Sequence, residues 1–367
     1  MWAMVAKEFR QLRRDRRTVA MMIVLPVLLL VVFGYAASFN VNTIPTVVVG
    51  PQAAQAAARL HAPFDVTEID ATAGRATAQA RLQDGQAIVA VVTGGPGVRV
   101  LMDGSQLLSV LTAEGALAKM LPAGAAAGSA PAVSVQILYN PRLTTSWVMV
   151  PGLAGLILVF IGTLITSLGV VRERQTGTIE QLAVMPLRAR DVIAGKIAPY
   201  LMVAAVDLVL IILVGMGVFH VPFTGNVGTF ALGAALFLLV TLGIGVLIST
   251  VSQNQGQAIQ LAFMILLPQV LLSGLIFPVA SMAAGVRWIS WVLPLTYFIQ
   301  ISRGVMLKAT PITALWQPLM LLAVLAVVVL GLAIVRFRRD LAPGTRRARS
   351  GPGTEGGEAR VGESVTA

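Results

Sequence analysis

Charged residues disappear from this chain for long stretches and return in bursts, and the lengths of the uncharged stretches set the reading. Thr18–Ala37 carries no charge over twenty residues, enough for a helix to cross about 30 Å of hydrocarbon. Further apolar runs occupy Trp147–Val171, Ile197–Phe219, Phe230–Val251, Ala258–Phe277 and Leu315–Val335. Six transmembrane helices are therefore predicted. Ahead of the first, Trp2, Val5, Phe9 and Leu12 share one helical face, and Lys7, Arg10, Arg13, Arg14 and Arg17 fill much of the remainder. Residues 1–17 thus read as an amphipathic helix lying on the membrane surface. A cleaved signal peptide ending near Ala36-Ala37-Ser38 is the rival reading, but the apolar run exceeds the usual core of about 7–15 residues.

Between the first two spans the pattern changes. Residues 38–146 hold six acids and six bases, with short β-rich runs at Thr46–Val49, Ala87–Val92 and Val98–Met102. Helical patterns occupy Ala71–Gln83 and Gln106–Met120, and Gly124–Pro131 is an Ala/Gly-rich linker. The expectation is an α-helical integral membrane protein with an α/β domain inserted between helices 1 and 2. Residues 147–339 form the five-helix remainder. Pro278–Pro311, with Trp288, Trp291 and Tyr297, is semi-apolar and broken by Pro294, so short re-entrant or interfacial helices are expected there. Residues 340–367, rich in Gly, Arg and Glu, read as a disordered tail.

Composition agrees. Hydrophobic residues make up 56% of the chain and charged residues 12%, against about 25% charged in a soluble domain. The absence of cysteine excludes disulfides and thiolate chemistry, and His61 and His220 are too few and too far apart for a metal centre. The net charge of +11 reads as membrane topology, not nucleic-acid binding. Eighteen of the 27 basic residues fall before Thr18, within Arg172–Lys196 or from Arg336 onward. Those segments share one side of a six-span protein. Both termini are thus expected in the cytoplasm, and the α/β domain outside.

No phosphate-binding loop G-x-x-x-x-G-K-[ST] is present: Gly195-Lys196 is followed by Ile197, so any ATP must be hydrolysed by another chain. No Ser/His/Asp grouping or H-E-x-x-H motif occurs either. The informative stretch is Arg172–Lys196, RERQTGTIEQLAVMPLRARDVIAGK, too long for a simple hairpin. Gly177 can break the helix, Thr178 can cap the next, and Pro186 ends it. Ile179, Leu182 and Ala183 would share one face, leaving Glu173, Glu180 and Gln181 to a partner. The plainer alternative is a solvated connector bearing topological charge.

Several motifs occur in one order: LMDGS (Leu101–Ser105), Asn140-Pro141, VPGLAGLIL (Val150–Leu158), RERQTGTIEQLAVMPL (Arg172–Leu187) and GKIAPY (Gly195–Tyr200). They are followed by LIST (Leu247–Thr250), LLSGLIFPVASM (Leu271–Met282) and LPLTYFIQISRGVMLK (Leu293–Lys308). Together they resemble the ABC-2 type permease family over nearly the whole chain to about Arg339. The resemblance implies the membrane subunit of a bacterial ATP-binding-cassette exporter in the inner membrane. Two such chains, identical or not, would pair and bind two separate ATPase subunits. No cofactor would be bound directly, since ATP is used by the partner. A membrane-fusion protein is a further partner of such assemblies. Glu173, Gly177, Thr178, Glu180 and Gln181 would lie at or beside the coupling helix, within residues 172–190, and residues 1–17 would be the connecting helix alongside it. The cargo, a small molecule, drug or amphiphile, is not legible.

Asp207 is the one acid within an apolar span. An aspartate at mid-membrane costs about 2.5–3.5 kcal/mol, which the Leu, Ile, Phe and Val residues of Ile197–Phe219 offset at about 0.3–0.6 kcal/mol each. It is a candidate for the translocation path or a structural hydrogen bond to Ser or Thr on a neighbouring span. Gly162, Gly169, Gly215, Gly217, Gly243 and Gly245 read as helix-packing positions. A multi-span receptor with a ligand-binding outer domain is the alternative function, although a sensor needs only one or two spans. An intramembrane enzyme would need paired polar catalysts, and Asp207 stands alone.

Overall fold

The computed structural model describes residues 41–120 except 42 and 96, 132–176 and 189–341. The expected surface helix 1–17, the first span 18–37, the Gly124–Pro131 linker and the tail from 342 lie outside the described residues, as do residues 177–188.

The α/β unit is built from β1 (Ile44–Val49), α1 (Ala53–Arg59), β2 (Phe64–Asp70), α2 (Arg75–Gln83), β3 (Val89–Val92), β4 (Gly97–Asp103), α3 (Leu107–Met120) and β5 (Ala132–Leu138). The sheet order is β2-β1-β3-β4-β5. β1 runs parallel to both β2 and β3, β3 and β4 are antiparallel, and β4 is parallel to β5. Central strands must bury both faces, which is why β1, β3 and β4 are almost continuously apolar. Val48, Val89, Val91, Val100 and Met102 pack on one side with Val110 and Ala113 of α3. Val47, Val49, Ala90 and Leu101 pack on the other with Ala78 and Leu82 of α2. Both edge strands and α1 went unpredicted.

The remaining helices are α4 (Thr145–Gln175), α5 (Ala189–Phe219), α6 (Val227–Val251), α7 (Gln255–Leu272), α8 (Ala284–Ser290), α9 (Pro294–Lys308) and α10 (Trp316–Leu341), with a 3-10 turn at Val279–Ser281. Five of them, α4, α5, α6, α7 and α10, are long and apolar enough to cross a membrane. α4 and α6 are mostly buried at the centre, whereas α5 is mostly exposed. Their contact depends on small residues: a Cβ at Gly245 of α6 would lie 2.8 Å from Thr166 Cβ and 3.0 Å from Thr163 O of α4. Gly217 departs from the packing expectation, since a Cβ there would meet no atom within 4 Å.

Residues 278–311 hold the short helices α8 and α9, and α9 packs inside the helical bundle. Nearly every side chain of α9 is buried, and Phe298 stacks on Phe237 of α6 with ring centroids 4.4 Å apart. Tyr297 is buried, while Trp288 and Trp291 remain exposed. The preceding span stops at Leu272, not Phe277, because Gly274 adopts φ +86°, a left-handed turn that glycine enters at no steric cost.

Candidate coupling site and its connection to the α/β unit

Each end of the helical bundle carries a polar cluster. At the end that bears residues 172–196, Thr176 terminates α4, its hydroxyl donating to Arg172 O over 3.1 Å. Glu173 of α4 forms an ion pair with Lys196 of α5. Arg174 Nη1 donates to Ser252 O at the α6–α7 turn, 3.3 Å away, and Gln255 Nε2 donates to Gln175 Oε1 over 3.1 Å. That turn is itself closed on both sides. Asn254 Oδ1 accepts from Gln257 N at 2.9 Å, and Gln257 Oε1 accepts from Gln253 N at 3.0 Å, a reciprocal cap. The two limbs of the 172–196 segment are thereby tied to each other and to α6 and α7. Of the residues singled out from the sequence, Glu173 lies in this cluster. Gly177, Thr178, Glu180 and Gln181 lie outside the described residues.

The opposite end joins the bundle to the α/β unit. Asp103, at the end of β4, is buried and accepts from Ser105 through Oδ1, at 3.0 Å from the amide and 2.6 Å from the hydroxyl. Its other oxygen meets Lys308 Nζ at 2.9 Å. Lys308, the last residue of α9, is also buried and donates to Leu82 O at 2.7 Å. Around this pair, Gln83 Nε2 donates to Lys308 O at 2.9 Å, and Thr310 Oγ1 donates to Gln83 O at 2.9 Å. Asn140 Nδ2 donates to Gly104 O at 3.3 Å, while its Oδ1 accepts from Thr144 N at 2.9 Å, fixing the path from β5 into α4. Burial, then the negative charges of Asp103 and Asp84, push the Tyr139 phenol up to about 12. LMDGS, Asn140-Pro141 and the end of LPLTYFIQISRGVMLK thus meet in one place.

One turn and a half earlier on α9, buried Arg303 donates through Nε to Val148 O of α4 at 3.0 Å. It also reaches Gly274 O at 3.4 Å and Leu275 O at 3.3 Å. It therefore ties the first turn of α4 to the chain just past the end of α7. Sequence reasoning missed Asp103, Arg303 and Lys308 as a group. Their one signal is two cations, five residues apart, in a helix otherwise suited to burial.

Asp207 sits half-buried on α5, between buried Ala204 and Leu208 and exposed Val203, Val206 and Leu210. Among the described residues no hydrogen bond or ion pair reaches its carboxylate.

The model of the ABC-2 family transporter protein matches residues 16–335. "Probable multidrug ABC transporter permease YbhR" of Escherichia coli K12 is 32% identical over 203 residues, 55% of each chain. The alignment thus spans about half of that relative. "Probable multidrug ABC transporter permease YbhS" of the same organism is 29% identical over 364 residues, covering 92% of this chain and 97% of that one. "Inner membrane transport permease YhhJ" is 27% identical over 258 residues, 67% of this chain and 68% of that one. With five membrane-length helices and a family match across nearly its whole length, the chain belongs to the ABC-2 family of transporter proteins.

Proposed function

We propose that this chain is the membrane-spanning permease subunit of an ATP-driven exporter. It pairs with a second permease chain and couples to separate ATPase subunits through residues 172–190. The family match over residues 16–335 carries the reading, and the names of YbhR and YbhS support a drug or amphiphile as cargo. In this reading Thr18–Ala37 is a sixth span, so the α/β unit is inserted between spans 1 and 2 on the outer side. Residues 1–17 are the connecting helix, and a membrane-fusion protein is a further partner. Glu173, Gly177, Thr178, Glu180 and Gln181 meet the ATPase, and Asp207 belongs to the translocation path.

The supporting geometry is the bracing of the segment's two limbs by Glu173–Lys196 and Arg174–Ser252, because a stiff base lets a cytoplasmic push act on α4 and α5 together. Reconstitution with the ATPase that co-purifies with the chain tests this. Gly177→Pro restricts the backbone and Glu180→Lys inverts a contact charge. Both variants are expected to insert and pair normally, yet lose stimulated hydrolysis and uptake into inverted vesicles. Asp207→Asn is expected to keep partner binding and lower uptake. Wild-type transport by the two segment variants would reduce 172–190 to a connector.

A further inference from the structure

A groove of about 810 Å³ runs between α6, α7 and α10 and ends against Leu293 and Pro294, where α9 begins. Its size falls within the roughly 300–1,000 Å³ of small-molecule sites. It extends from Val240 to Val251 on α6 and from Leu325 to Arg336 on α10. Eleven helical steps make about 16 Å, close to one leaflet of a hydrocarbon core about 30 Å thick. Val251, Val328, Leu332 and Val335 are exposed at its rim, so it opens sideways, toward lipid.

The lining is aliphatic apart from Thr250, Gln269 and Arg336. Thr250 is satisfied by its own helix, donating to Leu247 O at 2.7 Å. Gln269 is fully buried. Its Oε1 accepts from Leu295 N at 3.3 Å, but Nε2 is buried with no partner, a rare and unfavourable state for an amide donor. Beside it lies the N-terminus of α9, a 15-residue helix whose first residue is preceded by Leu293, which supplies no cap of its own, and the helix end adds positive potential. At the other end Arg336 is exposed and makes no hydrogen bond or ion pair with a described residue. No acid lines the groove. Both ends therefore offer donors and positive charge, with apolar surface between them.

We propose that this groove binds an elongated bilayer amphiphile that is anionic at the Arg336 end and carries an acceptor oxygen toward Gln269. A cationic amphiphile is excluded by charge at both ends. A second copy of this chain docking here with an apolar helix face would leave Gln269 Nε2 unsatisfied and Arg336 unpaired, whereas the amphiphile answers both. The proposal extends the permease reading by naming a ligand class. Its test needs neither ATP nor transport, so the two stand or fall separately.

The full chain in phosphatidylcholine nanodiscs is photolabelled with palmitate bearing a mid-chain diazirine, and the labelled peptides are mapped. Label is expected on the groove segments of α6, α7 and α10 above the level on the exposed face of α5 opposite Asp207, at Val209 and Met216. Dodecanoate should displace it, and dodecyltrimethylammonium should not. Arg336→Gln should lower groove labelling about fivefold, the effect of one basic side chain on an anion at the membrane surface, with α5 labelling unchanged. Gln269→Met removes the amide donor and introduces no other. It should erase the advantage of 11-oxododecanoate, which adds a distal acceptor, over dodecanoate. Equal displacement by the anionic and cationic competitors, or groove labelling no higher than on α5, overturns the proposal. So does protection of the groove that rises with the protein-to-lipid ratio, which would assign it to a second copy.

Discussion

Replacing Lys308 by methionine keeps most of the apolar stem and deletes the ammonium group. In the native protein that group lies 2.9 Å from Asp103 Oδ2 and 2.7 Å from Leu82 O, with side-chain exposures of 8% for Lys308 and 2% for Asp103. At such burial, removing one partner strands a charge, which costs about 3–5 kcal/mol, whereas an exposed pair is worth about 0.2–1 kcal/mol. Lys308→Met leaves Asp103 held only by Ser105, and Leu82 O without its donor. A loss of about 3 kcal/mol is expected. Asp103→Asn keeps the shape but leaves the ammonium against a carbonyl and the Tyr139 ring, 5.8 Å from its centroid, and a similar loss follows. The double variant strands no charge, so it should be less destabilised than the sum of the single variants by at least about 2 kcal/mol. Equilibrium unfolding in mixed micelles measures all four corners of the cycle. Single losses below about 1 kcal/mol with a coupling energy near zero would mean that water reaches the pair, and the junction would not be a rigid connection.

Three further outcomes are expected. With its phenol held at about 12, against 10.0 for an unperturbed tyrosine, Tyr139 keeps its proton when the unfolded chain has released its own. Stability is therefore unaffected below pH 10 and falls as pH rises toward 12, and Tyr139→Phe should remove that part of the slope in alkaline melts. Gly245→Ala forces a Cβ against Thr166 and Thr163 and should lower stability by about 1–3 kcal/mol, while Gly217→Ala, with no atom in reach, should change little in the same thermal assay. The chain has no native cysteine, so Ala71→Cys in the α/β unit and Ala194→Cys on α5, both exposed, report topology directly. Impermeant maleimide should label the first in intact cells and the second only after permeabilisation.

What the sequence made legible follows from where each element gets its stability. Membrane-length helices answer to solvent, and long uncharged runs mark them without any knowledge of neighbours. Strands β1, β3 and β4 lie inside the sheet and are apolar on both faces, so they too stood out. The edge strand β2, FDVTEID, has one open side and carries three acids, which reads as loop. β5 follows an Ala/Gly-rich stretch that masks its start. α1, AAQAAAR, is too short and too uniform for a periodic signal. The interior position of α9 was hidden for a different reason. Pro294 and the aromatics of the segment suggested the interface, and the carboxylate that makes burial of Lys308 possible lies 205 residues away in the chain. Charge compensation over that distance leaves no local pattern.

α4 is the element that reaches both polar clusters. Its 31 residues span about 46 Å, well beyond the hydrocarbon thickness of about 30 Å. Near its start, Val148 O accepts from Arg303 of α9, and near its end Glu173 pairs with Lys196 of α5. α9 in turn ends at Lys308, which is bonded to Asp103 of the sheet. A displacement applied where residues 172–190 are proposed to meet an ATPase therefore has a continuous, hydrogen-bonded path to the α/β unit through two helices. Pro151 lies nearly two turns into α4, where it removes one ladder bond, the one to Trp147 O, and the helix continues past it to Gln175. Continuity is a requirement for transmission and not its proof. Transmission also demands that the clusters differ in energy between two states. Buried ion pairs suit that demand, because they are either made or broken at a cost of several kcal/mol and tolerate little in between.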